Sequence, residues 1–202
     1  LSEKHLGKDH IDLADTVHSL AVVYGNAGDA KKMKELLERT VMIEEKHFGP
    51  NHIKVAQSLC HLGYAVCNLG DNARFEECTA RALKIQESHY GEEHVETADT
   101  IVQMGSVHLL KGDKAKAKVL QAQGLQILED HFGKGHSRTA QALGTLCATC
   151  CSLQDYVTGK DLADRAIAIS EAKGGNEAQL AQFKQLQQVC EMMTKRGAAK
   201  KK

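Results

Sequence analysis

Proline is almost missing from this sequence. Pro50 is the single one, and only four phenylalanines occur in 202 residues. Runs of alternating Val, Ile and Thr are also missing, so a β-sandwich has little support. No charge of one sign prevails, because Lys+Arg and Asp+Glu number 26 each. Without a positive field the chain is not expected to bind nucleic acid or an anionic membrane surface. No apolar run approaches the roughly 18 residues that a membrane-crossing helix needs. The opening "LSEKHLGKDH" does not read as a signal peptide. Seven cysteines are present, an odd number, and they follow helix faces rather than a disulfide framework. A reducing compartment, the cytoplasm, is the expected location.

What the chain does have is a period. "HLGKDH" at 5–10 returns as "HFGPNH" at 47–52, "HYGEEH" at 89–94 and "HFGKGH" at 131–136, each 42 residues after the last. The glycines Gly7, Gly49, Gly91 and Gly133 keep the step, and Gly175 continues it without either histidine. A fixed period of this size marks a repeat architecture.

One repeat, residues 52–93, shows the unit. Val55, Ala56, Leu59, Leu62, Gly63 and Val66 recur at steps of three and four and define one face of a helix from Ile53 to Asn68. "LGDN" at 69–72 interrupts it. There Gly70 permits a left-handed cap, and Asp71 can accept from a free N–H of the next helix. A second helix is predicted from about Ala73 to Ser88, with Phe75, Cys78, Ala82, Leu83 and Ile85 inward. Columns at the 42-residue period agree: Val17, Leu59, Ile101 and Leu143 in first helices; Leu36, Cys78, Leu120 and Leu162 in second helices; Ile43, Ile85, Ile127 and Ile169 unchanged. Ala14, Ala56, Ala98 and Ala140 form a small column, as do Ala21, Gly63, Gly105 and Cys147. Small side chains let helix axes approach closely. Asp29, Asp71, Asp113 and Asp155 stand before each second helix as caps. Such a pair cannot bury its apolar faces alone, so neighbours must stack.

"LAVVYGNAGDAKKMKELLERTVMIEE" (20–45) and "LGYAVCNLGDNARFEECTARALKIQE" (62–87) resemble tetratricopeptide repeats. The likeness rests on Leu20, Ala21 and Tyr24 of the first helix, on Gly28 and Asp29, and on the small residue at Ala82. The repeat length and the Gly-x-x-His connection are similar to the kinesin-light-chain type. The resemblance implies an all-α fold, a right-handed superhelical α-solenoid of antiparallel helix pairs. Two features depart from the pattern. Ile53, Val95 and Ser137 stand where the family places a loop proline, and Ser19, His61, Gln103 and Thr145 replace its peptide-holding asparagine.

The expected layout follows. Residues 1–9 are the tail of a preceding repeat helix, as if the chain were cut from a longer array. Repeats span 10–51, 52–93, 94–135 and 136–177. A capping helix covers 178–196, with Leu180, Phe183, Leu186, Cys190 and Met193 on one side, and 197–202 form a disordered basic tail.

Paired histidines invite a metal reading, but the copies lie one repeat apart and do not obviously converge on the four ligands that zinc takes. A turn is the preferred reading, with the glycine at the bend and the second histidine opening the next helix. The column Glu45, Glu87, Glu129 is expected to reach across the corner to that histidine or to free N–H groups. "CATCC" (147–151) contains a CxxC in mid-helix, read as small buried hydrophobes. No phosphate-binding loop or nucleophile elbow is present, so no catalytic residue, metal or cofactor is assigned.

The resemblance places a peptide groove on the first helices. Carried onto this sequence it comprises Asp15, His18, Val22, Asn26, Gln57, Cys60, Tyr64, Asn68, Asp99, Val102, Ser106, Leu110, Gln141, Gly144, Ala148 and Ser152. Lys54 and Arg138 are the only Lys or Arg residues of these helices, and a carboxylate clamp would need several. The implied function is a non-catalytic protein-interaction scaffold binding a peptide or partner helix, neutral to mildly basic, with Tyr64 as anchor. Two alternatives stand beside it: the ligand-sensing part of a larger NB-ARC-type signalling NTPase, and metal binding by the HxGxxH corners.

Overall fold

The computed structural model describes residues 10–173 and 176–199. The expectation for residues 1–9 and the tail residues 200–202 lie outside that range. Every regular element among the described residues is helical. Two compact units divide the chain between Glu92 and Glu93.

The first unit holds a short 3-10 turn, Ile11–Leu13, then α1 (Ala14–Asn26), α2 (Ala30–Phe48), α3 (Ile53–Asn68) and α4 (Asn72–Tyr90). The second holds α5 (Val95–Leu110), α6 (Lys114–Phe132), α7 (Ser137–Ser152), α8 (Tyr156–Lys173) and α9 (Glu177–Ala199). Short loops join neighbours into antiparallel pairs, the geometry of α-solenoid repeats. Helix α9 runs through Ala199, three residues past the expected end of the capping helix.

The period columns bury as the helical pattern predicts. Val55, Ala56, Leu59, Leu62 and Val66 are buried on α3, and Phe75, Cys78, Ala82 and Ile85 on α4. At about 1.5–3 kcal/mol for each fully buried Leu, Ile or Phe, these contacts dominate the stability of each pair. Close approach at the small columns is real. A Cβ on Gly124 would lie 2.7 Å from the Ala98 carbonyl oxygen, so α5 and α6 meet nearly backbone to backbone. In the second unit, α9 covers the last pair with Phe183 and Cys190, both buried.

Each second helix of a pair is capped by its predicted aspartate. Asp29, Asp71 and Asp113 accept from the N–H of Lys32, Arg74 and Lys116 at 3.0–3.1 Å. Asp155 accepts from Thr158 at 3.4 Å. The residue before each Asp lies in the left-handed region: Gly28, Gly70 and Gly112, but Gln154 (φ 61°) in the fourth copy.

Candidate peptide-binding face

The HxGxxH corners resolve first. Gly49, Gly91 and Gly133 take φ of 89°, 95° and 81° with ψ near 160°, a region essentially reserved for glycine. The second histidine caps the following helix. Nδ1 of His10, His52, His94 and His136 accepts the N–H two residues on, at 3.2–3.3 Å. The rings of His52 and His136 also stack on Phe48 and Phe132, with centroids 4.5 and 4.2 Å apart. The first histidines, His47, His89 and His131, sit exposed in the last turn of their helices. Among the described residues no histidine joins a group that could hold a metal ion. The second histidines of the corners act as helix caps, in line with the expected turn.

Two members of the glutamate column, Glu45 and Glu129, depart from the expectation. Glu45 pairs with Arg81 (2.5 Å), and Glu129 with Arg165, each on the second helix of the next repeat. Both carboxylates link successive second helices instead of turning to the histidines. Arg81 also donates to the Pro50 carbonyl at 2.7 Å, tying the corner to α4.

The groove residues of the first unit lie on α1 and α3. Asp15, Asn26, Gln57, Tyr64 and Asn68 are exposed, while His18, Val22 and Cys60 are half-buried. Tyr64 keeps 52% of its surface exposed, high for a tyrosine on a packed helix. Lys54 Nζ donates to Asp15 at 3.1 Å, so that carboxylate is already paired. In the second unit α5 and α7 carry the set. Asp99, Ser106 and Ala148 are half-buried, and Leu110, Gln141 and Ser152 are exposed. Arg138 donates from Nε to Asp99 at 3.0 Å and from Nη1 to Glu96 at 3.2 Å. Lys54 and Arg138 thus neutralise the acids of the preceding first helix.

Two groove residues are not presented to a ligand. Val102 is buried, packed where Gly124 lets α6 approach α5. Gly144 is buried beneath Phe183 of α9, whose ring would meet a Cβ there at 2.3 Å. The capping helix occupies that stretch of the face.

A polar network absent from the sequence reading crosses α1, α2 and α3. Ser58 hydrogen-bonds the buried Glu44 carboxylate. His18 Nδ1 lies 3.2 Å from Ser58 Oγ, and His18 Nε2 lies 3.0 Å from His61 Nδ1. One consistent assignment has His61 donating to His18, His18 to Ser58 and Ser58 to Glu44, with Glu44 Oε2 left without a partner. Loss of water around the rings holds both histidines below their ordinary range, and for His18 the neighbouring His61 adds to it. Burial pushes the Glu44 carboxyl up. Its signal lay in the sequence as polar residues, Glu44 and Ser58, at positions whose neighbours in the helical pattern are apolar.

All seven cysteines are free thiols. Burial raises Cys78 to about 11 and Cys190 to about 12, and pushes Cys147 up as well. At ordinary pH burial therefore keeps Cys78, Cys147 and Cys190 in the protonated form, which is a poor nucleophile. The charged crevice between α2 and α4, about 280 Å³, is lined by Glu38, Glu45, Arg74, Glu77 and Arg81 and lies on the outer, second-helix side.

The tetratricopeptide repeat family model matches residues 55–96. Solved structures extend the likeness along the chain. BtubC (BKLC) from P. vanneervenii is 24% identical, with a TM-score of 0.67, over 86% of this chain and 70% of that one. A putative kinesin light chain of Podosopora anserina with nearly identical TPR-like repeats is 20% identical, with a TM-score of 0.66, over 94% and 95%. Residues 55–96 match the tetratricopeptide repeat, and the chain as a whole shares the helical-repeat fold of these structures. These repeats also resemble a Rap protein complexed with Competence and Sporulation Factor, at 16% identity and a TM-score of 0.71, over 93% of this chain and 54% of that one. No curated protein matches the chain. Among the described residues no helix is long and apolar enough to cross a membrane.

Proposed function

We propose that this repeat chain is a non-catalytic protein-interaction scaffold. Its first helices hold an extended peptide or a partner helix, and Tyr64 is the principal anchor. The observation that carries the reading is the exposed Tyr64 ring on α3, between the exposed amides of Gln57 and Asn68. Partly exposed tyrosines are favoured recognition anchors because one side chain offers both an apolar ring and a polar tip. Asp15 and Asp99 are already bonded to Lys54 and Arg138, which favours a neutral ligand over a basic one. A Rap protein of similar fold is complexed with Competence and Sporulation Factor, which supports ligand recognition by such a fold. Free thiols support a reducing, cytoplasmic setting.

A peptide array probed with labelled chain, wild type beside Tyr64→Ala/Asn68→Ala, tests this. Neutral, apolar-containing peptides should be retained by the wild type and lost at least tenfold by the double variant. Equal retention by both proteins would remove α3 from the binding face.

A further inference from the structure

Three thiols from two helices meet in the second unit. Cys147 and Cys151 are four residues apart on one face of α7, and Cys190 comes from α9. Their sulfur atoms all lie within 4.8 Å of one another, and Cys151 Sγ is 3.2 Å from Cys190 Sγ. The CxxC read in the sequence is not the pair that forms. Cys150 stays out of the cluster, and Cys151 takes its place.

A second observation concerns the floor of this cluster. Gly159 lies in the interior of α8, where glycine costs about 0.5–1 kcal/mol relative to alanine. A Cβ on it would stand 2.9 Å from Cys190 Sγ and 3.6 Å from Cys151 Sγ. At the corresponding positions one, two and three repeats earlier stand Ala117, Phe75 and Met33, each with a buried side chain. Only the fourth copy leaves this space to sulfur. Cys147 and Cys190 are fully buried, while Cys151 is half-buried and gives a route from the surface.

We propose that Cys147, Cys151 and Cys190 form a three-sulfur site for a soft, thiophilic cation of the Cu(I) class. Thiolates select such ions over hard ones. Structural zinc takes four protein ligands, and among the described residues no fourth Cys, His, Asp or Glu joins this group. Metal–sulfur bonds of about 2.3 Å arranged in a plane set the sulfurs about 4 Å apart. That spacing falls between the 3.2 Å of the closest pair and the 4.8 Å outer limit. Binding exchanges S–H bonds for Cu–S bonds, releases the thiol protons to solvent and involves no oxidation. The ion would fasten α9 to α7.

Anaerobic titration of the whole chain with Cu(I), held reduced by ascorbate and in competition with a bicinchoninate chelator, tests the site. One equivalent should be withheld from the chelator, with a rise in melting temperature. Cys190→Ser and Cys151→Ser should each weaken binding at least tenfold, and Cys67→Ser should leave it unchanged. Gly159→Ala keeps every thiol but fills the floor, and should weaken binding at least tenfold with helix content retained by circular dichroism. Wild-type affinity in both Cys190→Ser and Gly159→Ala would overturn the proposal, as would tighter retention of Zn2+ than of Cu(I). A count of five free thiols in freshly purified, denatured protein would also overturn it, because two of the seven would then be locked in a disulfide.

Discussion

His18 Nε2 lies 3.0 Å from His61 Nδ1, so a hydrogen bond joins two imidazoles on neighbouring first helices. Their edge-to-face contact, with centroids 4.8 Å apart, fixes the approach of α1 to α3. Ser58 and Glu44 continue the chain inward. The link is built from neutral rings, and that makes it sensitive to pH.

Both histidines have lowered pKa values in the folded state. The unfolded chain therefore binds more protons just below the ordinary value of about 6.5, and stability falls with acidification. This contribution is fully present above 6.5 and is lost as pH drops through the folded pKa values. His61→Asn removes one titrating partner and should flatten the decline of melting temperature below pH 6.5. An unchanged slope would show that the pair does not couple to folding.

Glu44 acts in the opposite direction. Its folded pKa is raised, so its contribution is greatest below about 4.5 and is lost as pH rises through the folded value. One carboxylate oxygen, Oε2, also lacks a hydrogen-bond partner. Glu44→Gln should therefore raise the melting temperature at pH 8 and change it little at pH 4. Chemical denaturation at the two pH values reads the difference directly.

The corner glycines are predicted to be indispensable as backbone. Gly49 has φ 89° and ψ 160°, where a side chain strains the chain by about 1–3 kcal/mol. Nothing lies within 4 Å of a Cβ built there, so any loss in Gly49→Ala is backbone strain and not a clash. Urea denaturation should show a loss of that size.

Gln154 is the converse case. It holds φ 61° where the three earlier copies have glycine. A left-handed conformation costs an L-residue about 1–2 kcal/mol, partly offset by glycine's greater freedom when unfolded. Gln154→Gly should stabilise the second unit by about 0.5–1 kcal/mol, measured as a shift in the urea midpoint.

Arg138 tests the electrostatics of the face. Its ion pairs with Glu96 and Asp99 are partly exposed, and such pairs contribute about 0–1 kcal/mol to stability. Arg138→Ala should barely alter the melting temperature, yet it leaves two carboxylates without that cation. On a peptide array the variant should gain retention of basic peptides relative to the wild type, most clearly at low salt.

The 42-residue period, the helix pairs, the aspartate caps and the glycine bends were legible from residues 10 to 173. Each depends on local rules: helical spacing, cap chemistry and permitted φ. Ile53–Asn68 emerged with its expected bounds because apolar spacing and a Gly-Asp break define a helix within one stretch of chain. Other features needed contacts between distant residues. Glu45 finds Arg81 and not His52 because stacking sets second helices side by side, a distance no single repeat reveals. Val102 and Gly144 followed the groove pattern in sequence, yet helix α6 and the Phe183 ring cover them. Cys151 joins Cys190 across 39 positions only because Gly159 leaves the space between three helices open. The sequence by itself determined the repeating unit, since periodicity and backbone preference act over a few residues. Tertiary structure alone decided which polar and sulfur atoms meet, because that depends on how closely whole helices approach.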